Sequence, residues 1–168
     1  MNQVTEMFRL RDTARTEEAL ARLGGLFEVM AQQQGFLHAE VTREVADAKT
    51  LLVFHAWSRI EDWQAFQPSQ WKLDFMARRP DGLYSPAPIG MNWTLLSDGE
   101  WPSGGYVRRS VLLSQPDLAQ GQVFREAMAD ACEAPRWMTL EHADAASSGD
   151  GWFEVLLTRA RDAAAAKT

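Results

Sequence analysis

Three histidines are the side chains of this sequence best suited to move protons near neutral pH, because imidazole changes its charge in that range. They are His38, His55 and His142. They lie far apart and form no H-x-x-x-H or H-x-x-E-H motif, so no metal site is predicted. The single cysteine, Cys132, falls in a run with helical spacing and no histidine close by, which is typical of a packing residue. A histidine acting as a base is therefore one interpretation to weigh against a structural role.

His55 is the leading candidate for that base. It shares one face of a predicted strand with Trp57, since alternate residues of a strand point to the same side. His38 lies on the preceding strand and would come near His55 if the hairpin turn centres on residues 46–48. The alternatives are a hydrogen-bonded structural histidine at position 55 and a solvent-facing strand residue at position 38.

Polar and basic residues on other strands could complete a site. Asn92 and Trp93 open a strand after a proline-rich loop, where an amide and an aromatic ring can reach the mouth of a cavity. Arg9 and Arg109 occupy corresponding places on two strands, and an inward arginine among aromatic rings would suit a phenolate or a carboxylate. Asn92 satisfying its own turn and both arginines facing solvent are the alternatives.

Aromatic residues recur at helical spacing after His55, at Trp63, Phe66, Trp71 and Phe75. Such a stripe either packs in a core or roofs a substrate cavity. The chain has seven tryptophans, and so large a ring surface predicts a spacious core or a pocket.

The elements that must position these residues follow from hydrophobic periodicity and turn residues. The first half reads as βαββαβ, with Thr16 as the cap of its first helix and Gly35 as its end. Its elements are a strand over 4–11, a helix over 16–34, a hairpin of strands over 36–45 and 51–57, a helix over 58–79 broken at Pro68, and a strand over 91–96.

The second half repeats this order in shortened form, as βαββ. A linker of small and polar residues over 98–104 separates the two units, which we place at 1–97 and 105–168. The predicted elements of the second unit are a strand over 105–113, a helix over 117–134, and strands over 136–145 and 152–160.

Charge and composition exclude several classes of protein. The net charge is −6 and no run of five basic residues occurs, so nucleic acid is not an expected partner. No stretch of 18 apolar residues and no basic leader followed by an apolar run occurs, so we expect a cytoplasmic protein without a membrane partner.

The segments QGFLHAEV, ADAK and LLVFHAWSRIEDWQAF resemble the antibiotic biosynthesis monooxygenase family of the dimeric α/β-barrel superfamily. Gly35, Phe36, Trp57, Trp63 and Phe66 occupy places typical of that family, whereas the family's downstream S-x-x-H is replaced by Pro-Ser-Gln-Trp. The resemblance implies an α+β fold in which a ferredoxin-like βαββαβ unit and its truncated second copy form a dimeric or pseudo-dimeric α/β barrel. A homodimer and pairing of the two halves within one chain are both open.

The family includes cofactor-independent oxygenases of anthrones and quinols, heme-degrading monooxygenases and members with other roles. In heme-degrading relatives an Asn, a Trp and an axial His occupy positions that fall here near Met7 or Phe8, on Phe66 and near Met76. Their absence disfavours heme chemistry.

We therefore expect a cofactor-independent monooxygenase that takes molecular oxygen as co-substrate and acts on an aromatic or polyketide-type small molecule. The alternatives are a non-catalytic ligand-binding or oligomerisation module of the same fold and, second, a heme-binding or heme-degrading monooxygenase. The candidate catalytic residues are His55, Asn92 and His38. The candidate substrate-binding residues are Trp57, Trp63, Phe66, Trp71, Trp93, Arg9 and Arg109.

Overall fold

The computed structural model describes residues 2–78, 82–84, 89–96, 105–117, 122–126, 136–147 and 151–160, with the main chain alone for 2–6 and 89–92. Eight strands and three α-helices form the described part of the chain. They are β1 (Asn2–Arg9), α1 (Thr16–Ala31), β2 (Phe36–Glu44), β3 (Thr50–Trp57), α2 (Ile60–Phe66), α3 (Gln70–Ala77), β4 (Ile89–Leu95), β5 (Tyr106–Leu112), β6 (Gln122–Glu126), β7 (Trp137–Ala143) and β8 (Trp152–Ala160), with a 3-10 turn over Thr13–Arg15 before α1.

The strands close into one barrel in the order β1-β3-β2-β8-β5-β7-β6-β4. Every strand pair in it is antiparallel. The four strands of the first half are contiguous, and so are the four of the second. The halves meet along β2–β8 and β4–β6. The α+β architecture agrees with the ferredoxin-like fold, and the barrel closes within a single chain.

The helices cover the outer face of the first half and of β8, and side chains of both halves fill the interior. Leu23 and Phe27 of α1 pack with Val53 and Trp57 of β3 in the outer layer. Alternate β3 residues point the other way, so that Phe54 joins an interior cluster with aromatic and aliphatic residues of the second half. An eight-stranded barrel is narrow enough for side chains to fill it, as they do here.

Gly35 forms the turn between α1 and β2. Its φ is +77°, in the left-handed region that glycine tolerates best. A Cβ at this position would lie 2.2 Å from Asp62 Oδ2, and the Ser58 N–H donates to the Gly35 carbonyl over 2.7 Å. The turn therefore also docks the start of α2.

Helix α2 ends just before Pro68, as the sequence predicts, and Ser69 caps the new helix α3 by accepting a hydrogen bond from the Lys72 N–H over 3.3 Å. The prediction that Thr16 caps α1 is wrong. Asp12 caps the preceding 3-10 turn through the Ala14 N–H, and the Thr16 hydroxyl donates to the Thr13 carbonyl over 2.7 Å.

The helix predicted over 117–134 is wrong at its centre, where residues 122–126 form β6. This strand fills the gap between β4 and β7, and its pairing on both sides outweighs the local helical spacing. The second half consequently holds four strands where three were predicted. Residues 118–121 and 127–134 of that run and the linker over 98–104 lie outside the described residues. No helix in the described part of the chain is both long and apolar enough to span a membrane.

Candidate functional site

His55 lies in the outer layer, between the sheet and the helices. Its side chain is buried, and its Nδ1 accepts a hydrogen bond from Trp57 Nε1 over 2.9 Å. Trp57 is itself fixed by ring contacts with Phe36, at 5.5 Å between centroids, and with Phe66, at 5.9 Å. The predicted pair on one strand face is thus a packed, hydrogen-bonded unit.

This hydrogen bond determines what His55 can do. While Nδ1 accepts from Trp57, it cannot take up a proton, and the hydrogen of the neutral ring must sit on Nε2. His55 can then donate a hydrogen bond but not abstract a proton. A role as general base requires the bond to Trp57 to break first.

A cleft opens in the same outer layer, between α1, α3 and the end of β1. Its walls are Phe8, Arg22, Phe75, Met76 and Tyr84. It contains about 210 Å³ of empty space with its open mouth included, but a water molecule can be centred in only about 10 Å³ of it. The closed cleft therefore has room for about one water molecule.

Arg22 supplies the positive charge of this cleft. Its guanidinium lies 4.2 Å from the ring centroid of Phe75 and donates to the main-chain carbonyls of Phe75 and Arg78. These carbonyls belong to the C-terminal end of α3, so Arg22 ties α3 to α1. Both of these acceptors are neutral carbonyls, and the guanidinium charge also acts on Glu18, whose pKa it helps to lower. A guanidinium in an aromatic cleft suits an anionic ligand.

The aromatic stripe divides between the core and the cleft. Phe66 is buried and Trp63 packs beside it in the outer layer. The Trp63 Nε1 is buried and makes no hydrogen bond to the described residues. Trp71 is 36% exposed and stacks on Phe75, with 5.4 Å between centroids and 16° between planes.

His38 faces the barrel interior. It pairs with Ala56, while Ala39 pairs with His55, so the two histidines project from opposite faces of the sheet. The expectation that they lie together is wrong, because this register places them one residue apart across the hairpin.

Trp93 and Arg109 also face the interior. Trp93 is fully buried there, and Arg109 donates through Nε to the sulfur of Met138 over 3.4 Å. Burial and, second, the nearby charge of Arg136 lower the pKa of Arg109. Among the described residues no carboxylate forms an ion pair with it.

The structure corrects the prediction that Arg9 binds the substrate. Its side chain is 57% exposed, and its guanidinium pairs with Asp47 over 2.9 Å, so Arg9 lines neither the cleft nor the interior. Asn92 lies in β4, but its side chain is outside the described residues, and its proposed role stays a prediction.

Sequence reasoning missed an acidic residue inside the barrel. Glu40 of β2 is 2% exposed, and its carboxylate oxygens lie 3.5 Å from His38 Nε2 and 3.7 Å from His142 Nε2. Alternation along β2 places Glu40 on the face of His38, but only the closed barrel brings His142 to it. Across the described ranges no group of three His, Cys, Asp or Glu side chains is suited to hold a metal ion.

Comparison with known proteins shows which family the first half of the chain is similar to. Residues 4–78 match the model of the antibiotic biosynthesis monooxygenase family, and this segment contains most of β1, together with α1, the hairpin and helices α2 and α3. No protein with a curated description matches the sequence significantly.

Solved structures resemble the whole chain in fold. An anthrone oxidase-like protein has a TM-score of 0.62 and 13% identity, with 95% of this chain and 93% of that chain covered. A protein from Fusobacterium nucleatum subsp. nucleatum, described provisionally as a monooxygenase, has a TM-score of 0.60 and 13% identity, with 98% and 77% covered. Another from Lactobacillus acidophilus, described in the same way, has a TM-score of 0.58 and 6% identity, with 96% and 97% covered.

At such low identity these structures support the fold alone, whereas the family match covers the segment that builds the outer layer and most of the cleft. Residues 4–78 of this chain form a domain of the antibiotic biosynthesis monooxygenase family.

Proposed function

We propose that the protein is a cofactor-independent monooxygenase that oxidises a flat phenolic or polyketide-type molecule with molecular oxygen. The observation that carries this proposal is the aromatic cleft with the Arg22 guanidinium over the Phe75 ring. All of its lining residues except Tyr84 lie in the family-matched segment, and it lies in the same layer as His55 and Trp57.

The reaction class needs no reductant beyond the substrate. When dioxygen converts an anthrone methylene into a ketone, one oxygen atom enters the product and the other leaves as water with the two methylene hydrogens. The substrate supplies all four electrons. The protein has to favour the substrate anion, stabilise its charge and keep bulk water away.

The side chains of the outer layer fit these tasks. Phe8, Phe75 and Tyr84 present aromatic walls to a flat ring, and Arg22 attracts an ionised phenol oxygen. The Nε2–H of His55 suits a hydrogen-bond donor to developing negative charge. We assign Trp57, Trp63 and Phe66 to support of this donor and Asn92 to a further donor.

Substrate entry requires the cleft to widen, because small-molecule pockets commonly enclose about 300–1,000 Å³. Helix α3 is the element suited to move. It exposes Leu73 and Met76, whereas α1 packs closely against β2 and β8. Opening would break the hydrogen bonds from Arg22 to the end of α3 and free its guanidinium for an anion.

The second half has a supporting role in this proposal. Its strands stand in the order β8-β5-β7-β6, which matches the first-half order β4-β1-β3-β2 element by element. We propose that residues 105–160 are a second ferredoxin-like unit that takes the place of a partner subunit's sheet. A homodimer is then not needed to close the barrel.

The small cleft volume also favours a second candidate, a non-catalytic ligand-binding module. Heme chemistry is the third. A hemin titration that leaves the Soret band of free hemin unshifted would remove it.

Oxygen uptake separates the first two candidates. The protein, treated with chelator, is mixed with anthrone- and quinol-like phenols under air, and the oxygen consumed above the spontaneous rate is recorded. We expect uptake that falls at least tenfold in Arg22→Met and His55→Ala, while Arg43→Met, which removes an ion pair with Glu154 on the outer surface, retains it. Binding of these phenols without uptake would favour the non-catalytic module.

A further inference from the structure

We propose that Glu40, His38 and His142, the interior triad, form a proton-dependent lock that holds the second half of the barrel against the first. The inference is independent of the proposed oxygenase activity, because the triad lies on the opposite face of the sheet from the cleft.

The triad joins strands that are not neighbours in the sheet. Glu40 and His38 belong to β2 and His142 to β7, and β8 and β5 stand between these strands in the barrel order. The separation of 3.7 Å between Glu40 Oε1 and His142 Nε2 therefore spans the interior. It is a charged contact between the two halves in an otherwise largely apolar space.

Burial makes the charge state of this contact decisive. The Glu40 and His142 side chains are each 2% exposed, and an uncompensated carboxylate at such a site is strongly destabilising. A protonated imidazole on either side compensates the carboxylate, whereas two neutral imidazoles do not. Closure of the barrel is thus coupled to one proton held by the triad.

The direction in which the pKa of Glu40 is shifted agrees with this coupling. Burial raises the pKa of Glu40, but the imidazoles of His142 and then His38 together outweigh that effect, so the pKa lies below its ordinary value. A carboxyl group with a lowered pKa stabilises the folded state above its unfolded pKa, and this stability is lost as pH falls through the lowered pKa. At the alkaline end, the lock opens when both imidazoles are neutral.

No other group that the structure describes near the triad supplies the switch. The strand neighbours of Glu40 are Phe54 on β3 and Thr158 on β8, and neither titrates. Arg109 on β5 is a diagonal neighbour of His142 and stays charged over this range. Of the charged residues described on β2 and on the second-half strands, Glu126 pairs with Arg136 at the barrel end and Glu44 lies farther along β2. Arg43 pairs with Glu154 and Arg159 with Glu28 on the outer surface, and Arg108, Arg125 and Glu141 face outward.

The test compares unfolding by urea at about pH 6 and about pH 9 for the full chain, Glu40→Gln and the control Glu28→Gln, since imidazole changes charge between these values. In the wild type and the control we expect the unfolding equilibrium constant to rise about tenfold or more toward pH 9, because a buried carboxylate that loses its compensating charge is strongly destabilising. In Glu40→Gln the unfolding equilibrium constant should stay level or fall toward pH 9, because the imidazolium no longer has the carboxylate as its counter-charge. Parallel pH dependence of wild type and Glu40→Gln would overturn the proposal.

A measurement on the unmodified chain covers the case in which Glu40→Gln does not fold. The protein has only three histidines, so ¹⁵N-histidine spectra resolve each ring. At about pH 6 the spectra should show an imidazolium at His38 or His142 that loses its proton as the second-half amides lose protection from exchange. Both rings neutral at about pH 6 in the closed barrel would equally overturn it.

Discussion

Replacing Trp57 by Phe tests the hydrogen-bonded pair at the centre of the outer layer. The substitution keeps an aromatic ring against Phe36 and Phe66 but removes the indole N–H that His55 Nδ1 accepts. A buried acceptor left without its partner costs about 1–3 kcal/mol, and the lost ring volume adds roughly 1–2 kcal/mol, less than half of a full truncation to Ala. The free energy of unfolding should therefore fall by about 2–5 kcal/mol.

For a chain of this size each kcal/mol lowers the melting temperature by about 2–4 °C, so thermal unfolding followed by circular dichroism should move by roughly 5–15 °C. Trp71→Phe is the matched control, because Trp71 is 36% exposed, and it should move the transition by no more than about 2 °C. The ¹⁵N shifts of His55 should show hydrogen on Nε2 in the wild type. Equal losses in the two variants, or hydrogen on Nδ1 in the wild type, would refute the reasoning.

Two further substitutions test the turn and the cleft. Gly35→Ala should destabilise by about 2–4 kcal/mol in urea unfolding, because the left-handed φ costs about 1–2 kcal/mol and the new Cβ meets Asp62. Gly25→Ala is the control, because no atom lies within 4 Å of the added Cβ, and it should stabilise α1 by about 0.5–1 kcal/mol. A loss of stability in Gly25→Ala as large as in Gly35→Ala would contradict the steric explanation. Arg22→Met should weaken the binding of ionised phenols about tenfold or more, which is about 1.4 kcal/mol, and leave the binding of neutral analogues unaffected. Tryptophan-fluorescence titrations measure both affinities. Equal weakening of both would argue against a role for the guanidinium charge.

The first half of the fold follows from local signals. Alternation in β1, β2 and β3, the glycine at position 35 and the proline at position 68 each act within a few residues, so their effects can be read in order along the chain. The prediction for the second half is wrong where tertiary strand pairing overrides a local helical pattern. Residues 122–126 have helical spacing but complete the sheet between β4 and β7, and a missing strand there would leave two unpaired edges.

The site was predictable only as far as strand faces allow. Alternation puts His55 with Trp57 and His38 with Glu40, but it does not tell which face meets the helices. His142 reaches Glu40 across a barrel interior, and Arg22 reaches the end of α3 from a helix more than 50 residues away. Both contacts form only when the whole barrel closes and the helices pack on it, and no local sequence pattern predicts these events.

The most direct test of the proposed activity is the fate of labelled oxygen. The chelator-treated protein is supplied with an anthrone-type phenol under ¹⁸O₂, and product and water are analysed by mass spectrometry. We expect enzyme-dependent product that carries one ¹⁸O atom, with the second in water, and a rate that is reduced at least tenfold in Arg22→Met. Label incorporation no faster than in buffer alone, with every phenol that binds the cleft, would contradict it.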